Sequence, residues 1–404
     1  MNLDGNQASI REAVDNGVLS GAVTLAWQAG KVLQVNEIGH RDVEAGLPMQ
    51  RDTIFRIASM TKPVTVAAAM TLVEQGRLAL RDPVTHWLPE LADLQVLTDP
   101  RGALDSTVPA IRPITVEDLM THRSGLAYAF SVLGPIARAY AGVSLRQDAD
   151  HWLADIAGLP LLHQPGERLT YSHSTELLGI LLSRLEGKPL QDVLTERILG
   201  PLQMTDTGFW LTPEQRRRVA TMYKLDAHGR LSHDVMGPAP ISPPRFSQGG
   251  GGLWSTADDY LRFTRMLLAD GQIDGVRVLS AESVRQMRTD RLTDAQKRIP
   301  FLGMPYWQGR GFGLNLAVVT DPTQSTPLFG PGGVGSFTWP GAFGTWWQAD
   351  PTADLILIYL IQNAPDLGAQ AGEAAAAIAG NTSVAKLRTA QPKFVRRTYQ
   401  ALDL

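Results

Sequence analysis

Residues 64 to 75 read Val-Thr-Val-Ala-Ala-Ala-Met-Thr-Leu-Val-Glu-Gln, a helical stretch apolar on nearly every side, and Gly76 stands where a C′ glycine would end it. A helix without a polar face has to be surrounded by the rest of the chain. With 404 residues there is enough chain to do this, as one large domain or two to three smaller ones. Apolar residues make up 44% and charged residues 19%, which suits a well-filled globular core. No apolar run approaches the roughly 18 residues needed to cross a bilayer, so no membrane span is expected. The start, Met1-Asn2-Leu3-Asp4, lacks the basic stretch and apolar run of a signal peptide, and the expectation is a cytoplasmic protein.

Around this helix the pattern alternates. Ala22 to Ala26 and Val32 to Ile38 flank a Gly30-Lys31 turn as a β-hairpin. Helical segments follow at Val116–Thr121, Ala149–Ala157, Ser174–Leu185 and Leu190–Ile198, then Ala257–Leu268. Two late strands, Gly344–Gln348 and Leu355–Ile361, are joined by the turn Asp350-Pro351-Thr352-Ala353. An Ala-rich helix is expected at Ala369–Ala379, and the tail after Lys393 is too short to read. Trp346 and Trp347 should alternate, one toward the core and one toward the cleft or solvent. Strands near both termini with helices between them predict one sheet built from the two ends and a helical insertion.

Several function classes drop out. The net charge is near −3 with no basic stripe, so no nucleic-acid partner is expected. There is no cysteine, which removes disulfides and thiolate chemistry. The eight histidines form no His-Glu-x-x-His pattern, and no metal or cofactor is expected. Glycine runs at Gly249–Gly252 and Gly332–Gly335 read as turns.

Ser59-Met60-Thr61-Lys62 places a hydroxyl and an amine three apart where the apolar helix begins, on one helical face. A serine hydroxyl needs a base beside it, and a lysine can serve if burial and positive potential hold its amine neutral. The plain alternative is a helix N-cap with Lys62 in solvent. A second Ser-x-x-Lys, Ser383 to Lys386, lies on a polar tail and reads as accidental. Tyr171-Ser172-His173 follows the Pro165-Gly166-Glu167 turn at a loop–helix junction, where a tyrosine can share a proton with a lysine or merely staple the helix entry. Trp339-Pro340-Gly341-Ala342 opens the late strands, where a backbone N–H could face the site. His122 reads as a helix-end histidine, and His173 as either a site or a structural residue. A Gly-x-Ser-x-Gly elbow is absent, which argues against an ordinary α/β-hydrolase.

The stretch Phe55-Arg56-Ile57-Ala58-Ser59-Met60-Thr61-Lys62-Pro63 resembles the nucleophile region of class C β-lactamases, penicillin-binding proteins and related esterases. The resemblance continues through Leu78 to Val84, Leu119 to Leu126, Tyr171-Ser172, Pro201 to Met204, Gly250 to Leu253 and Trp339-Pro340-Gly341, in order, over roughly residues 18 to 365. It implies an α/β fold, with a mixed antiparallel-sheet domain flanked by helices (1–95 and 245–404) and a mostly helical inserted domain (96–244), the site lying between them. It also implies Ser59 as nucleophile, Lys62 as its activating partner and Tyr171 as a second proton handler. The oxyanion hole would be the N–H groups of Ser59 and Ala342, and the pocket would include Tyr128, His173, Trp339 and Gly341. Two departures bear on substrate: His173 stands where lactamases carry asparagine, and Trp339 replaces the lysine of Lys-Thr-Gly, which helps hold a β-lactam carboxylate. The Trp-x-Gly form is similar to family VIII carboxylesterases. The expected partner is thus a small-molecule ester, with β-lactam or amide hydrolysis, acyl transfer to an alcohol, or a silent binding module as alternatives.

Overall fold

Strands from both ends of the chain meet in one sheet. The computed structural model describes residues 3–226, 228–234, 239–325, 330–364 and 382–404. Its main strands are β1 (Gly21–Gln28), β2 (Lys31–Asp42), β3 (Leu47–Pro48), β4 (Arg310–Phe312), β5 (Ala317–Val319), β6 (Phe337–Thr338), β7 (Trp346–Asp350) and β8 (Leu355–Leu360). They lie in the order β4-β5-β6-β7-β8-β1-β2-β3, each pair antiparallel. Val23 faces Leu360 and Gln28 faces Leu355, so the first and last long strands are neighbours. Gly30, at φ +86°, turns the first hairpin in the left-handed region that glycine tolerates.

The principal helices are α1 (Ala8–Asp15), α2 (Thr61–Glu74), α3 (Val116–Met120), α4 (Ala149–Ala157), α5 (Ser174–Glu186), α6 (Ala257–Leu268) and α7 (Thr382–Ala401). Strand β8 is buried on both faces, and its residues divide by parity. Ile356, Ile358 and Leu360 join the core that contains α2 and α6, while Leu355, Leu357 and Tyr359 pack under α1 and α7. Every residue of α2 from Thr61 to Leu72 is buried, as its apolar circumference requires.

Two expectations change. Trp346 and Trp347 do alternate, but neither reaches cleft or solvent, because β7 is covered on both sides: Trp347 enters the α2 core and Trp346 packs beneath α7. The tail beyond Lys393 belongs to α7, whose Phe394, Val395 and Tyr399 are buried, with the Tyr399 hydroxyl donating to Asp350 Oδ2 at 2.7 Å. The Ala-rich segment Ala369–Ala379 lies outside the described residues. No helix among the described residues is long and apolar enough to cross a membrane.

Candidate active site

The loop that carries Ser59 is held from three directions. Phe55 and Arg56 pair with Ser255 and Trp254, and the Ile57 N–H donates to the Leu253 carbonyl at 3.1 Å. Thr345 Oγ1 donates to the Ile57 carbonyl at 3.2 Å, and the Tyr260 hydroxyl to the Met60 carbonyl at 2.9 Å. Ala58 is thereby kept at φ +46°, a left-handed conformation that costs a residue with a Cβ roughly 1–2 kcal/mol. Ser59 follows in a tight turn, Ala58–Met60, that runs directly into α2. Pro63 needs no N–H in this first turn. The serine is half-buried, and Lys62, one helical turn on, is fully buried.

Two side chains converge on Ser59 Oγ. The Tyr171 hydroxyl donates to it at 2.7 Å, and Lys62 Nζ reaches it at 3.4 Å. Lys62 Nζ also donates to the Gly250 carbonyl at 2.6 Å and to the Tyr128 hydroxyl at 3.0 Å. Its Nζ lies 4.9 Å from the Tyr171 ring centroid and 5.2 Å from that of Tyr128. Tyr128 in turn donates to both oxygens of Glu176, at 2.9 and 3.0 Å. Burial first, and then the Glu176 charge, push the Tyr128 phenol well above its ordinary value, so it remains a protonated donor. Gly250 makes this cluster possible: a Cβ there would stand 2.4 Å from a Glu176 carboxylate oxygen.

Tyr171 is fixed by aromatic neighbours. Trp339 Nε1 donates to its hydroxyl oxygen at 3.2 Å, and His122 lies edge-on at 4.8 Å between ring centroids. His122 ends α3 in the left-handed conformation, φ +53°, as its helix-end reading expects, but it also joins a buried polar chain. Its Nε2 lies 2.8 Å from Asn315 Oδ1 and its Nδ1 3.2 Å from Ser172 Oγ. Burial, followed by the Lys62 charge, drives its pKa well below 6.5, so the ring is neutral.

The remaining sequence candidates fall around this centre. His173 packs edge-on against Tyr128, with centroids 4.3 Å apart, and its buried Nδ1 has no hydrogen-bond partner among the described residues. Burial lowers its pKa to about 4. Gly341 is buried, and a Cβ on it would meet the Ile57 carbonyl oxygen at 2.3 Å, so it lets the late strands close on the nucleophile loop. Ala342 sits in the exposed turn ahead of β7. Among the described residues, neither its N–H nor that of Ser59 donates to a loop or cap carbonyl. Lys386, the lysine of the second Ser-x-x-Lys, instead donates to Asn16 at 2.8 Å on the far side of the sheet.

Glu176 is the participant that sequence reasoning misses. It sits in the first turn of α5, where an acidic residue is favourable for the helix alone. The signal that could have marked it is its burial amid an apolar helix, since a buried carboxylate needs a partner. As a whole, the arrangement can lower the barrier to serine attack by taking the hydroxyl proton, and it can hold positive charge beside the reacting oxygen.

The Beta-lactamase family matches residues 6–381 of the chain. An uncharacterised protein of Mycobacterium tuberculosis is 68% identical over 404 residues, covering 100% of both chains. Esterase EstB of Burkholderia gladioli is 32% identical over 366 residues, covering 86% of each. The solved structure of EstCE1, a hydrolase with promiscuous acyltransferase activity, superposes with a TM-score of 0.75 at 26% identity, covering 96% of this chain and 97% of its own.

Proposed function

Since this chain belongs to the β-lactamase family of serine hydrolases, we propose that it cleaves small carboxylic esters through an acyl-enzyme on Ser59. The observation that carries this reading is the 2.7 Å contact between the Tyr171 hydroxyl and Ser59 Oγ, with the Lys62 amine on the same oxygen. Ser59 and Lys62 lie in the 1–95 part of the chain and Trp339 in the 245–404 part, while Tyr128, Tyr171, His173 and Glu176 lie in the 96–244 insertion. That distribution suits a cleft between two domains.

In the proposed reaction Tyr171 and Lys62 act as a pair that is one proton short of phenol plus ammonium. Ser59 Oγ bonds to the ester carbonyl carbon while its proton passes to the pair. Negative charge moves onto the carbonyl oxygen, which the N–H groups of Ser59 and Ala342 receive. The C–O bond to the alcohol then breaks, and the pair returns the proton to the departing alkoxide. Water repeats the sequence on the acyl-enzyme: it gives a proton to the pair, its oxygen bonds to the acyl carbon, and Ser59 recovers the proton as the acid leaves. The Tyr128–Glu176 contact holds Lys62 against Ser59 throughout.

Trp339, in place of a cation, favours esters over β-lactams. The test is turnover of p-nitrophenyl butyrate against nitrocefin by the purified protein. Faster cleavage of the ester supports the reading, and nitrocefin turnover at rates rivalling the ester would reverse the order. The second reading, acyl transfer, is favoured by the likeness to EstCE1 and its promiscuous acyltransferase activity. Adding a small alcohol to the ester assay separates the two, because a transferase would form the new ester in preference to the acid.

A further inference from the structure

Beyond Tyr171 lies a cavity of about 810 Å³, within the range of small-molecule sites. Its walls combine two features. Phe130, Leu133 and Ile299, exposed at 42%, 42% and 36%, line it together with Phe301. These are large apolar side chains left uncovered at one place, a mark of a binding surface. Arg101, Arg138 and Arg168 line the same space.

Arg51, Arg77, Arg112, Arg184 and Arg197 each pair with a carboxylate, whereas Arg101, Arg138 and Arg168 form no ion pair among the described residues. Arg168 is half-buried, and its Nε is buried without a hydrogen-bond partner among the described residues. Among the described residues Asp99 is the one acid in the lining, and its Oδ1 accepts the Arg101 backbone N–H at 3.0 Å. Neighbouring Glu167 is occupied by the Gln164 N–H at 3.1 Å. The cavity is therefore cationic with apolar walls. A buried guanidinium N–H is costly to leave unpaired, and a planar carboxylate is the group that arginine satisfies best.

We propose that this cavity receives a carboxylate at the far end of the substrate, so that the preferred esters carry a free acid on one arm, with an apolar spacer between it and the scissile bond. The inference rests on the esterase reading for its chemistry, but the binding it predicts does not require turnover. The arginines are specificity residues for the substrate's acidic end, reached past the Tyr171 side of the centre.

Calorimetry on the Ser59→Ala protein tests it without hydrolysis. Mono-p-nitrophenyl adipate and p-nitrophenyl hexanoate place the acid, or no acid, on the acyl arm. The 4-(butyryloxy)benzoate anion and phenyl butyrate do the same for the alcohol arm. One acidic ester should bind about tenfold or more tightly than its neutral counterpart, as expected for charge-assisted hydrogen bonds. The advantage should fall with added salt, largely disappear in Arg168→Gln, and be partly kept in Arg168→Lys. Arg101→Gln and Arg138→Gln, at exposed positions, should each reduce it. Equal binding of acidic and neutral esters on both arms, or an advantage that survives removal of all three arginines, overturns the proposal. Selective binding of the acid by Ser59→Ala, with neither ester cleaved by the parent protein, would instead count against the hydrolase reading alone.

Discussion

The Tyr171 hydroxyl meets Ser59 Oγ at 2.7 Å across 112 residues of chain, closer than the 3.4 Å from Lys62, which is only three residues away. Nearness in sequence therefore does not rank the two groups proposed to handle its proton. Tyr171→Phe keeps the ring against His122 and Trp339 and removes only the hydroxyl. We expect kcat on p-nitrophenyl butyrate to fall by about 10²–10⁴, the usual contribution of a positioned acid–base group. Lys62→Ala should fall at least as far. Steady-state rates across pH check both, and a Tyr171→Phe enzyme with an unaltered pH–rate profile would exclude the phenol from proton transfer.

In the proposed mechanism Tyr128 and Glu176 are positioning residues, acting on Ser59 through the hydrogen bonds that reach Lys62. Glu176→Gln leaves an acceptor for the Tyr128 hydroxyl but removes the charge. We expect kcat to drop about tenfold with KM nearly unchanged. Tyr128→Phe should behave similarly, and the double variant should be little worse than either single one, because both changes break the same chain. Fully additive losses in the double-mutant cycle would show that the two residues act separately.

His163 predicts how stability responds to acid. It is buried, with Nδ1 donating to the Gln164 carbonyl and Nε2 accepting from Thr170, both at 3.0 Å. Burial lowers its folded-state pKa from 6.5 to about 4. Between those values the unfolded chain binds a proton that the native protein refuses, so this contribution is whole above about pH 6.5 and is lost as pH falls toward 4. At pH 5 the loss is roughly 1–2 kcal/mol. Asp259, raised to about 6 by burial, acts in the opposite direction and partly masks the trend in the parent protein. The difference between parent and His163→Gln removes that masking. Going from pH 7 to pH 5, Tm of the parent should fall further than that of the variant, and equal falls would contradict the assignment.

What can be read from the sequence is local. The all-apolar circumference of α2, the Gly30 hairpin and the Ser59–Lys62 spacing each follow from residues within one or two turns of each other, and each has its counterpart in the structure. Glu176 cannot be found in this way, because its partner Tyr128 lies 48 residues distant and the helix alone accounts for an acid at that position. The same limit hides α7. Its 20 residues contain Pro392 and alternate charge with apolar groups, and their apolar side becomes meaningful only once β8 is known to present Leu357 and Tyr359 to it. Trp346 escapes prediction because a hairpin pattern does not reveal that helices cover both faces of its strand. His122 reads correctly as a helix end, yet its contacts to Asn315 and Ser172 come from segments far along the chain.

In the proposed reaction Ser59 carries the acyl group. Intact-protein mass spectrometry after rapid acid quench, with p-nitrophenyl butyrate as substrate, measures this directly. A single butyryl adduct mapping to the peptide with Ser59 is expected, with no adduct in Ser59→Ala and a loss of its turnover by several orders of magnitude. An adduct on another residue, or a Ser59→Ala protein that keeps more than about a tenth of the activity, would contradict it.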